Sequence, residues 1–174
     1  MKSKKNLVFL GMMGSGKSSI GSLVARKFKL NFVDVDKEIE KNLNTTIRKI
    51  FETKGEEYFR KIEEKITLSL LEKNRSVISL GGGAFLNKKI RKKIKKSSYS
   101  FWLNWKFSTI FVRISKNQRR PLALKMNRED LANLYRKRVK FYKFSDFKVK
   151  CDNKSKNEII NQIIKIINDE SPTN

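Results

Sequence analysis

The sequence contains no histidine, only one cysteine and only two prolines among its 174 residues. Without histidine, the commonest general base and metal ligand is absent, so proton transfer must use a carboxylate, a lysine or a tyrosine. Cys151 has no second cysteine to pair with, which excludes an intrachain disulfide and a cluster of thiolate metal ligands. We expect Cys151 to be a small buried or half-buried residue.

Long hydrophobic runs are also missing. The first apolar run follows a short basic segment and stops at Gly11, which is too short for a membrane span or a signal peptide. No small-residue cleavage site follows it, and no low-complexity linker divides the chain. We therefore expect a cytoplasmic protein with no membrane partner, formed by a single domain over residues 1–174.

Acidic residues are scarce. The chain has 17 Asp and Glu against 41 Lys and Arg, which gives a formal net charge of +24. Such a charge would attract nucleotides, sugar acids or nucleic acid. The spread of lysine along the chain, together with many Asn, Ile and Phe, also fits compositional drift in an AT-rich genome, and that is the explanation we favour. Apolar residues make up 39% of the chain, enough for a core, so disorder is not expected.

Short apolar runs alternate with amphipathic patterns along the chain. This alternation predicts a parallel sheet covered by helices on both faces. In the helix predicted over 56–72, an apolar stripe of Phe59, Ile62, Ile66 and Leu70 is expected to face the core. The predicted strands are 7–10, 32–34, 77–80, 99–103 and 147–151, and the predicted helices are 17–28, 37–43, 46–52, 56–72, 87–95, a segment ending near 115, 129–143 and 157–167.

A phosphate-binding motif lies between the first predicted strand and the first helix. Gly11–Ser18 matches G-x-x-x-x-G-K-[ST] in full. Glycines let backbone N–H groups converge on phosphate oxygens, and the helix N-terminus adds its positive dipole. Lys17 would bridge the β- and γ-phosphates, and the Ser18 hydroxyl would bind Mg²⁺. The motif predicts nucleotide binding but gives no information about the phosphoryl acceptor.

Two carboxylates, Asp34 and Asp36, stand at the end of the second predicted strand. Residues two apart in a strand point to the same side, so both could face the phosphate loop. One could hold hydrated Mg²⁺ while the other binds a substrate hydroxyl. The alternative is that Asp36 simply caps the helix that begins at Lys37.

Three glycines, Gly81–Gly83, follow the third predicted strand. Consecutive glycines lose much conformational entropy on folding, so they indicate a close backbone approach or an unusual backbone angle. A tight strand-to-helix turn is the alternative explanation.

Taken together, these motifs resemble the shikimate kinase family. The resemblance runs from about residue 6 to about residue 168, and several of its motifs are not general features of P-loop proteins. They are Gly11–Ser18, Val33–Asp36 with Ile39 and Glu40, Gly55–Glu63 (the family's G-E-x-x-F-R-x-x-E helix), Leu80–Ala84 and Arg120–Leu122.

The resemblance implies a three-layer α/β/α fold with a five-stranded parallel sheet in the order 2-3-1-4-5. It also implies a substrate-binding helical segment at about 36–62 and a mobile lid at about 115–126. The implied activity is transfer of the ATP γ-phosphoryl group to the 3-hydroxyl of shikimate, on the way to chorismate and the aromatic amino acids. The implied partners are shikimate and ATP with Mg²⁺, bound by a monomer.

The resemblance also assigns site residues. Arginine matches the carboxylate of shikimate because its planar fork forms two parallel hydrogen bonds. The implied substrate contacts are Asp36, Arg60, Gly82, Gly83 and Arg138; the ATP contacts are Gly14, Ser15, Gly16, Lys17, Ser18, Ser19 and Arg120; the Mg²⁺ ligands are Ser18 and Asp34; and the catalytic groups are Lys17, Asp36 and Arg120.

The second substrate-binding arginine departs from the family pattern R-x-P-L-Y. Here the stretch reads Arg138–Tyr142, with Lys140 and Phe141 in place of Pro and Leu. The register of Arg and Tyr favours Arg138, and Arg136 is the alternative. The segment near 152–154, where the family contacts adenine, does not match, so no residue is assigned there.

Three other functions are compatible with parts of the sequence. A kinase similar to gluconate kinase would share the phosphate loop, but the F-R-x-x-E helix and the three glycines argue against it. A nucleic-acid-binding protein would use the nine-residue basic segment 88–96, which otherwise forms a solvated helix with Ile90 and Ile94 buried. A non-catalytic homologue is disfavoured because every chemically essential position is filled.

Overall fold

A computed structural model of the chain describes residues 5–116 and 127–170. Its five-stranded sheet has the order β2-β3-β1-β4-β5, and every neighbouring pair is parallel. The strands are β1 (Asn6–Leu10), β2 (Asn31–Asp34), β3 (Ser76–Ser79), β4 (Ser98–Asn104) and β5 (Phe147–Lys150). The described helices are α1 (Lys17–Phe28), α2 (Val35–Leu43), α3 (Ile47–Leu70), α4 (Lys88–Ser97), α5 (Phe107–Ser115), α6 (Arg128–Tyr142) and α7 (Lys156–Asp169).

The predicted strand order and layering are confirmed. All five residues of the central strand β1 are buried, which requires helices on both faces of the sheet. Cys151, just after β5, is fully buried. Within the described residues, no helix combines the length and the apolarity needed to cross a membrane. Arg120 and residues 117–126 of the predicted lid lie outside the described residues. Of the predicted lid, the structure describes only Ser115, at the end of α5, and Lys116.

Helix α3 has a break at Gly55, where φ is 77° and ψ is 175°. This break lies where the sequence predicts the gap between two helical segments. The predicted apolar stripe of the second segment is confirmed: Phe59 and Leu70 are buried, and Ile62 and Ile66 pack partly buried against the core. The sequence pattern did not predict that Glu63 and Thr67 are buried beside them. The buried side of α3 therefore includes the carboxylate of Glu63, because the helix faces a charged site as well as the core.

Helix α4 is the basic amphipathic helix that the sequence predicts, and Ile90 and Ile94 are buried. Some of its charge is compensated by neighbouring elements. Lys89 Nζ lies 2.7 Å from Glu64 of α3, and Lys93 Nζ lies 3.7 Å from Glu72. The helix is thus a solvated element anchored by two isoleucines.

A stack of aromatic rings holds the centre of the sheet to its β5 edge. The ring centroid of Phe101 lies 5.5 Å from that of Phe9 and 5.0 Å from that of Phe147. Phe101 is fully buried, whereas Phe144, in the turn before β5, is 71% exposed.

We expect Phe101→Ala to lower the free energy of unfolding by about 3–5 kcal/mol, because it removes a fully buried ring and leaves a cavity. Phe144→Ala makes the same chemical change at an exposed position and should alter stability by less than about 0.5 kcal/mol. Urea unfolding followed by circular dichroism measures both. Similar losses in the two variants would contradict this account of the core.

Candidate active site

The candidate site lies at the carboxyl ends of three neighbouring strands. The loop Gly11–Gly16 follows β1, Asp34 ends β2 and Gly81–Gly83 follow β3. Parallel strands end at the same edge of the sheet, so residues far apart in sequence meet there, as ligand sites do in open α/β sheets. The sequence-predicted phosphate loop, acidic pair and triple glycine are therefore brought together.

The phosphate loop has the backbone that its motif predicts. Gly14 and Gly16 have φ values of 77° and 87°, a region that residues with a Cβ rarely occupy. Gly16 precedes α1 and offers no side chain to cap it, so the N–H groups of the first turn stay available for an anion. The Lys17 ammonium donates to the carbonyls of Gly11 at 3.0 Å and Met12 at 2.9 Å, which holds it within the loop.

Ser15 and Ser19 differ in their settings. The Ser15 N–H donates to the Met12 carbonyl at 3.1 Å, and its own carbonyl accepts from the Trp105 indole at 2.9 Å. The Ser15 hydroxyl is buried and has no hydrogen-bond partner among the described residues. The Ser19 side chain is exposed in the first turn of α1. Ser15 thus shapes the loop, while Ser19 faces outward.

Three side-chain oxygens gather beside the start of α1. The Ser18 hydroxyl donates to Asp34 Oδ2 and lies 3.5 Å from the Ser79 hydroxyl. The described residues hold no group of three or more His, Cys, Asp or Glu that could enclose a metal. Mg²⁺ needs no such enclosure, because it prefers oxygen and usually keeps several waters with one or two carboxylates and substrate phosphates. Ser18 and Asp34 fit that donor set.

The placement of Asp36 corrects the sequence-based argument. Strand β2 ends at Asp34, so the two carboxylates do not share one face of a strand. Asp34 is the cap of α2, and its side chain accepts from the N–H groups of Asp36 at 3.1 Å and Lys37 at 3.4 Å. The capping alternative therefore holds for Asp34 instead of Asp36. Asp36 lies in the first turn of α2 and still faces the site, through the helix geometry.

Charged side chains pack directly against the backbone of Gly81–Gly83, which we call the glycine bed. A Cβ built on Gly81 would lie 2.5 Å from Glu63 Oε1 and 2.7 Å from Asp36 Oδ1. On Gly82 it would lie 2.8 Å from an Arg138 nitrogen, and on Gly83 2.5 Å from an Arg60 nitrogen. Any side chain would displace one of these groups. The close approach of these charged side chains thus explains the three glycines, and the strand-to-helix turn is a consequence of that packing.

Arg60 is held by two carboxylates of its own helix. Its Nη1 donates to Glu63 at 2.6 Å, and its Nε and Nη2 donate to Glu56 at 3.1 Å and 3.0 Å. Burial disfavours the charged guanidinium, but the two carboxylates outweigh burial, so the pKa of Arg60 is raised. Arg60 therefore remains a cation, oriented before any ligand arrives.

Glu63 is a buried carboxylate to which the sequence patterns assign no role. It is only 2% exposed, and its Oε1 has no hydrogen-bond partner among the described residues. Burial raises its pKa, Arg60 opposes that effect, and the charge of Asp36 adds to it. The signal that points to Glu63 is its spacing of three from Arg60, which places both on one side of the helix.

Arg138 and Arg136 occupy different surroundings. Arg138 is 7% exposed and lies against Gly82. Arg136 is exposed and donates to Asn133 of its own helix at 2.7 Å. The structure thus places Arg138 beside Arg60 on the glycine bed, and Arg136 on the surface. Both site arginines also line a cavity of about 290 Å³.

The sequence analysis did not predict the residues that form a wall beside the phosphate loop. The Arg113 guanidinium lies 3.6 Å from the ring centroid of Trp105, whose indole contacts the loop at Ser15. Asp152, after β5, accepts from the Lys106 N–H at 2.8 Å and from the Thr109 hydroxyl at 2.7 Å. Only the tertiary contact to the loop identifies this wall, because its residues carry no motif in the sequence.

Comparison with known proteins agrees with this geometry. A sequence model of the family described as shikimate kinase matches residues 13–168. A curated shikimate kinase from Persephonella marina is 38% identical over 160 residues, which cover 92% of this chain and 97% of that protein.

Two solved structures are similar over nearly the whole chain. Shikimate kinase from Acinetobacter baumannii in complex with shikimate is 25% identical, with a TM-score of 0.91 over 99% of this chain and 97% of that one. Shikimate kinase from Aquifex aeolicus is 34% identical, with a TM-score of 0.81 over 95% of this chain and 98% of that one.

The raised pKa of Glu63 predicts a pH dependence of stability. Above the ordinary carboxyl value of 4.5, the folded chain holds the Glu63 proton that the unfolded chain has released. The free energy of unfolding therefore falls as pH rises through that range. Glu63→Gln cannot titrate, so its stability relative to the unsubstituted protein should increase as pH rises above 4.5, as urea unfolding at each pH would measure.

Glu64 on the same helix provides the matched control. The pKa of Glu64 is lowered by its hydrogen bonds to Lys89 and Asn87, so its contribution to stability is lost as pH falls. The relative stability of Glu64→Gln should therefore decrease, not increase, as pH rises toward 4.5. A flat pH difference for Glu63→Gln would contradict the burial effect.

Proposed function

The chain belongs to the shikimate kinase family, and on that premise we propose which of its residues bind and activate the substrates. Its activity is transfer of the γ-phosphoryl group of ATP to the 3-hydroxyl of shikimate, which gives shikimate 3-phosphate and ADP. One observation carries the assignment of residues: Asp36, Arg60 and Arg138 converge on the triple glycine beside the phosphate loop.

Arg60 and Arg138 bind the shikimate carboxylate. Both guanidinium groups lie against the glycine bed, at Gly83 and Gly82 respectively, and both line the same cavity. A planar guanidinium donates two parallel hydrogen bonds to a carboxylate, so the pair supplies charge and orientation together. The backbone N–H groups of the two glycines contact the substrate where no side chain intervenes.

Asp36 binds the hydroxyls of shikimate and accepts the proton of the attacking one. The chain has no histidine, so the base is a carboxylate, a lysine or a tyrosine, and we assign the role to Asp36. Its Oδ1 lies over Gly81, next to the buried carboxylate of Glu63.

The ATP phosphates lie in the loop after β1. Gly14, Ser15 and Gly16 shape the loop, and Ser18 and Ser19 present the first N–H groups of α1. Lys17 leaves its loop carbonyls to contact the β- and γ-phosphates. Ser18 and Asp34 would hold Mg²⁺, which would supply positive charge to neutralise the phosphates. Arg120, outside the described residues, contributes a further cation to them.

The remaining parts of the proposal concern organisation. The chain is one kinase domain in which residues 36–62 form the substrate-binding segment and about 115–126 form a lid that excludes water. It acts as a monomer on two anionic substrates, and we expect no nucleic-acid partner.

The acceptor is tested by ADP release from purified protein supplied with ATP and Mg²⁺. We expect release to depend on shikimate and to stay at background with gluconate. Release with gluconate alone would keep a P-loop kinase but reject the shikimate assignment. No acceptor-dependent release would point to another acceptor.

The site residues are tested by Asp36→Ala and Arg60→Ala. Loss of the base should lower kcat by ~10²–10⁴-fold. Loss of the paired guanidinium should lower kcat/KM for shikimate by ~10²-fold or more, because it also leaves Glu63 uncompensated. Steady-state kinetics with each substrate varied measures both effects.

Arg48→Ala is the matched control for Arg60→Ala. Arg48 forms the same kind of i,i+4 ion pair on α3, at 2.8 Å from Glu52, but it is more than half exposed. Its loss should leave kcat/KM within about twofold, since exposed pairs contribute little. An equal loss of activity in both variants would count against a specific role for Arg60.

A further inference from the structure

The three carbonyl groups of the triple glycine all accept hydrogen bonds, whereas its N–H groups donate to no other described residue. The Gly81 carbonyl accepts from Ala84 N–H at 3.1 Å, and the Gly83 carbonyl accepts from Leu86 N–H at 3.0 Å. The Gly82 carbonyl accepts from the Tyr142 hydroxyl at 2.5 Å. None of the three glycine N–H groups donates to another described residue. The hydrogen bonds to its carbonyl groups therefore hold the glycine bed in place, while its N–H groups are left as donors.

The anchor at Gly82 differs in kind from the other two. Ala84 and Leu86 bond the neighbouring carbonyls locally, as part of one turn. Tyr142 instead comes from the end of α6, sixty residues away in the sequence. The orientation of this one peptide unit is therefore set by tertiary structure, not by the local turn.

The peptide unit that joins Gly82 to Gly83 is planar. A hydrogen bond that holds the Gly82 carbonyl therefore also directs the N–H of Gly83 to the opposite side. Glycine pairs have few steric constraints of their own, so without this bond several orientations would be accessible. The Tyr142 hydroxyl removes that freedom at the point where the substrate is proposed to bind.

Tyr142 also contacts Arg138. The two residues are four apart on α6 and so share one face of the helix, and both meet Gly82. The Tyr142 hydroxyl donates to the Gly82 carbonyl, and an Arg138 nitrogen lies 2.8 Å from where a Cβ on Gly82 would stand. Arg138 Nε is buried and has no hydrogen-bond partner among the described residues. Tyr142 thus lies next to both the glycine bed and a proposed carboxylate-binding arginine.

The Tyr142 ring is itself rigidly held. It is fully buried, and its centroid lies 5.9 Å from that of Trp102 on β4. Burial raises the pKa of the hydroxyl, so it remains a proton donor across the working pH range. A fixed ring with a permanent donor is suited to set the geometry of its neighbours.

We infer that Tyr142 is a positioning residue for acceptor binding, whose hydroxyl orients the Gly82–Gly83 peptide and the Arg138 guanidinium together. The inference rests on the proposed function, because it concerns the same acceptor site. Tyr142 does not touch the reacting atoms, and it acts through the two groups that it holds.

The test is Tyr142→Phe, which removes one oxygen atom and keeps the buried ring. We expect KM for shikimate to rise by about tenfold, because the Gly82 carbonyl loses its donor and both binding groups gain freedom. KM for ATP should stay within about twofold, since the phosphate loop is not touched. Steady-state kinetics with each substrate varied in turn separates the two effects, and thermal unfolding verifies that the variant is folded.

Tyr99→Phe is the matched control. Tyr99 lies at the amino-terminal end of β4, away from the site, where its ring contacts Lys5 and Phe147. It makes the same chemical change and should leave both KM values unaltered. An unchanged KM for shikimate in Tyr142→Phe, or an equal rise in both KM values, would overturn the positioning role.

A double-mutant cycle with Arg138→Lys tests the route of the effect. If Tyr142 acts partly through Arg138, the two substitutions together should raise KM for shikimate by clearly less than the product of their separate effects. Full multiplicativity would overturn the part of the inference that concerns Arg138. Absence of shikimate-dependent activity in the unsubstituted protein would instead reject the proposed function itself, so the two failures are distinguishable.

Discussion

The site depends on one constraint, which is the absence of side chains at Gly81–Gly83. Four charged groups from three helices rest within 3 Å of where Cβ atoms would stand on these glycines. Two are carboxylates, on Asp36 and Glu63, and two are guanidinium groups, on Arg60 and Arg138. Such a cluster can be packed closely only where the backbone occupies little volume, so the glycines allow α2, α3 and α6 to deliver their charges to one place.

Pairing of opposite charges makes this cluster tolerable. A buried charge is costly unless a partner and hydrogen bonds compensate it. Glu63 partly meets that requirement, because its Oε2 accepts a hydrogen bond of 2.6 Å from Arg60. Its Oε1 lies near Asp36 and has no hydrogen-bond partner among the described residues. Arg60 is thereby oriented before the substrate binds, which reduces the entropy lost on binding. The net charge of +24 adds long-range attraction for anionic substrates but does not build the site.

The fold was predictable because its signals are local. Buried apolar runs ended by glycine mark β1 and β3, and the break at Gly55 divides α3 where the pattern indicates. The acidic pair shows the limit of such reasoning. A two-residue spacing suggested a shared strand face, yet the chain turns into a helix at Val35, so Asp34 became the cap and Asp36 reaches the site from a helix. The role of Glu63 was hidden for a different reason: the apolar stripe indicates that this side of α3 is buried, but only the packed structure shows that the carboxylate lies between Arg60 and Asp36.

The sequence by itself determined the phosphate loop and the motif residues that meet at the sheet edge, because each belongs to a contiguous motif whose spacing carries its chemistry. The strand order was implied by the resemblance of these motifs to those of a known family. Only the tertiary structure decided how those motifs face one another. The burial of Arg138, the burial of Glu63 and the bond from Tyr142 to Gly82 all depend on contacts between distant elements. Such contacts depend on how helices pack on the sheet, and residue spacing within one segment does not specify that packing.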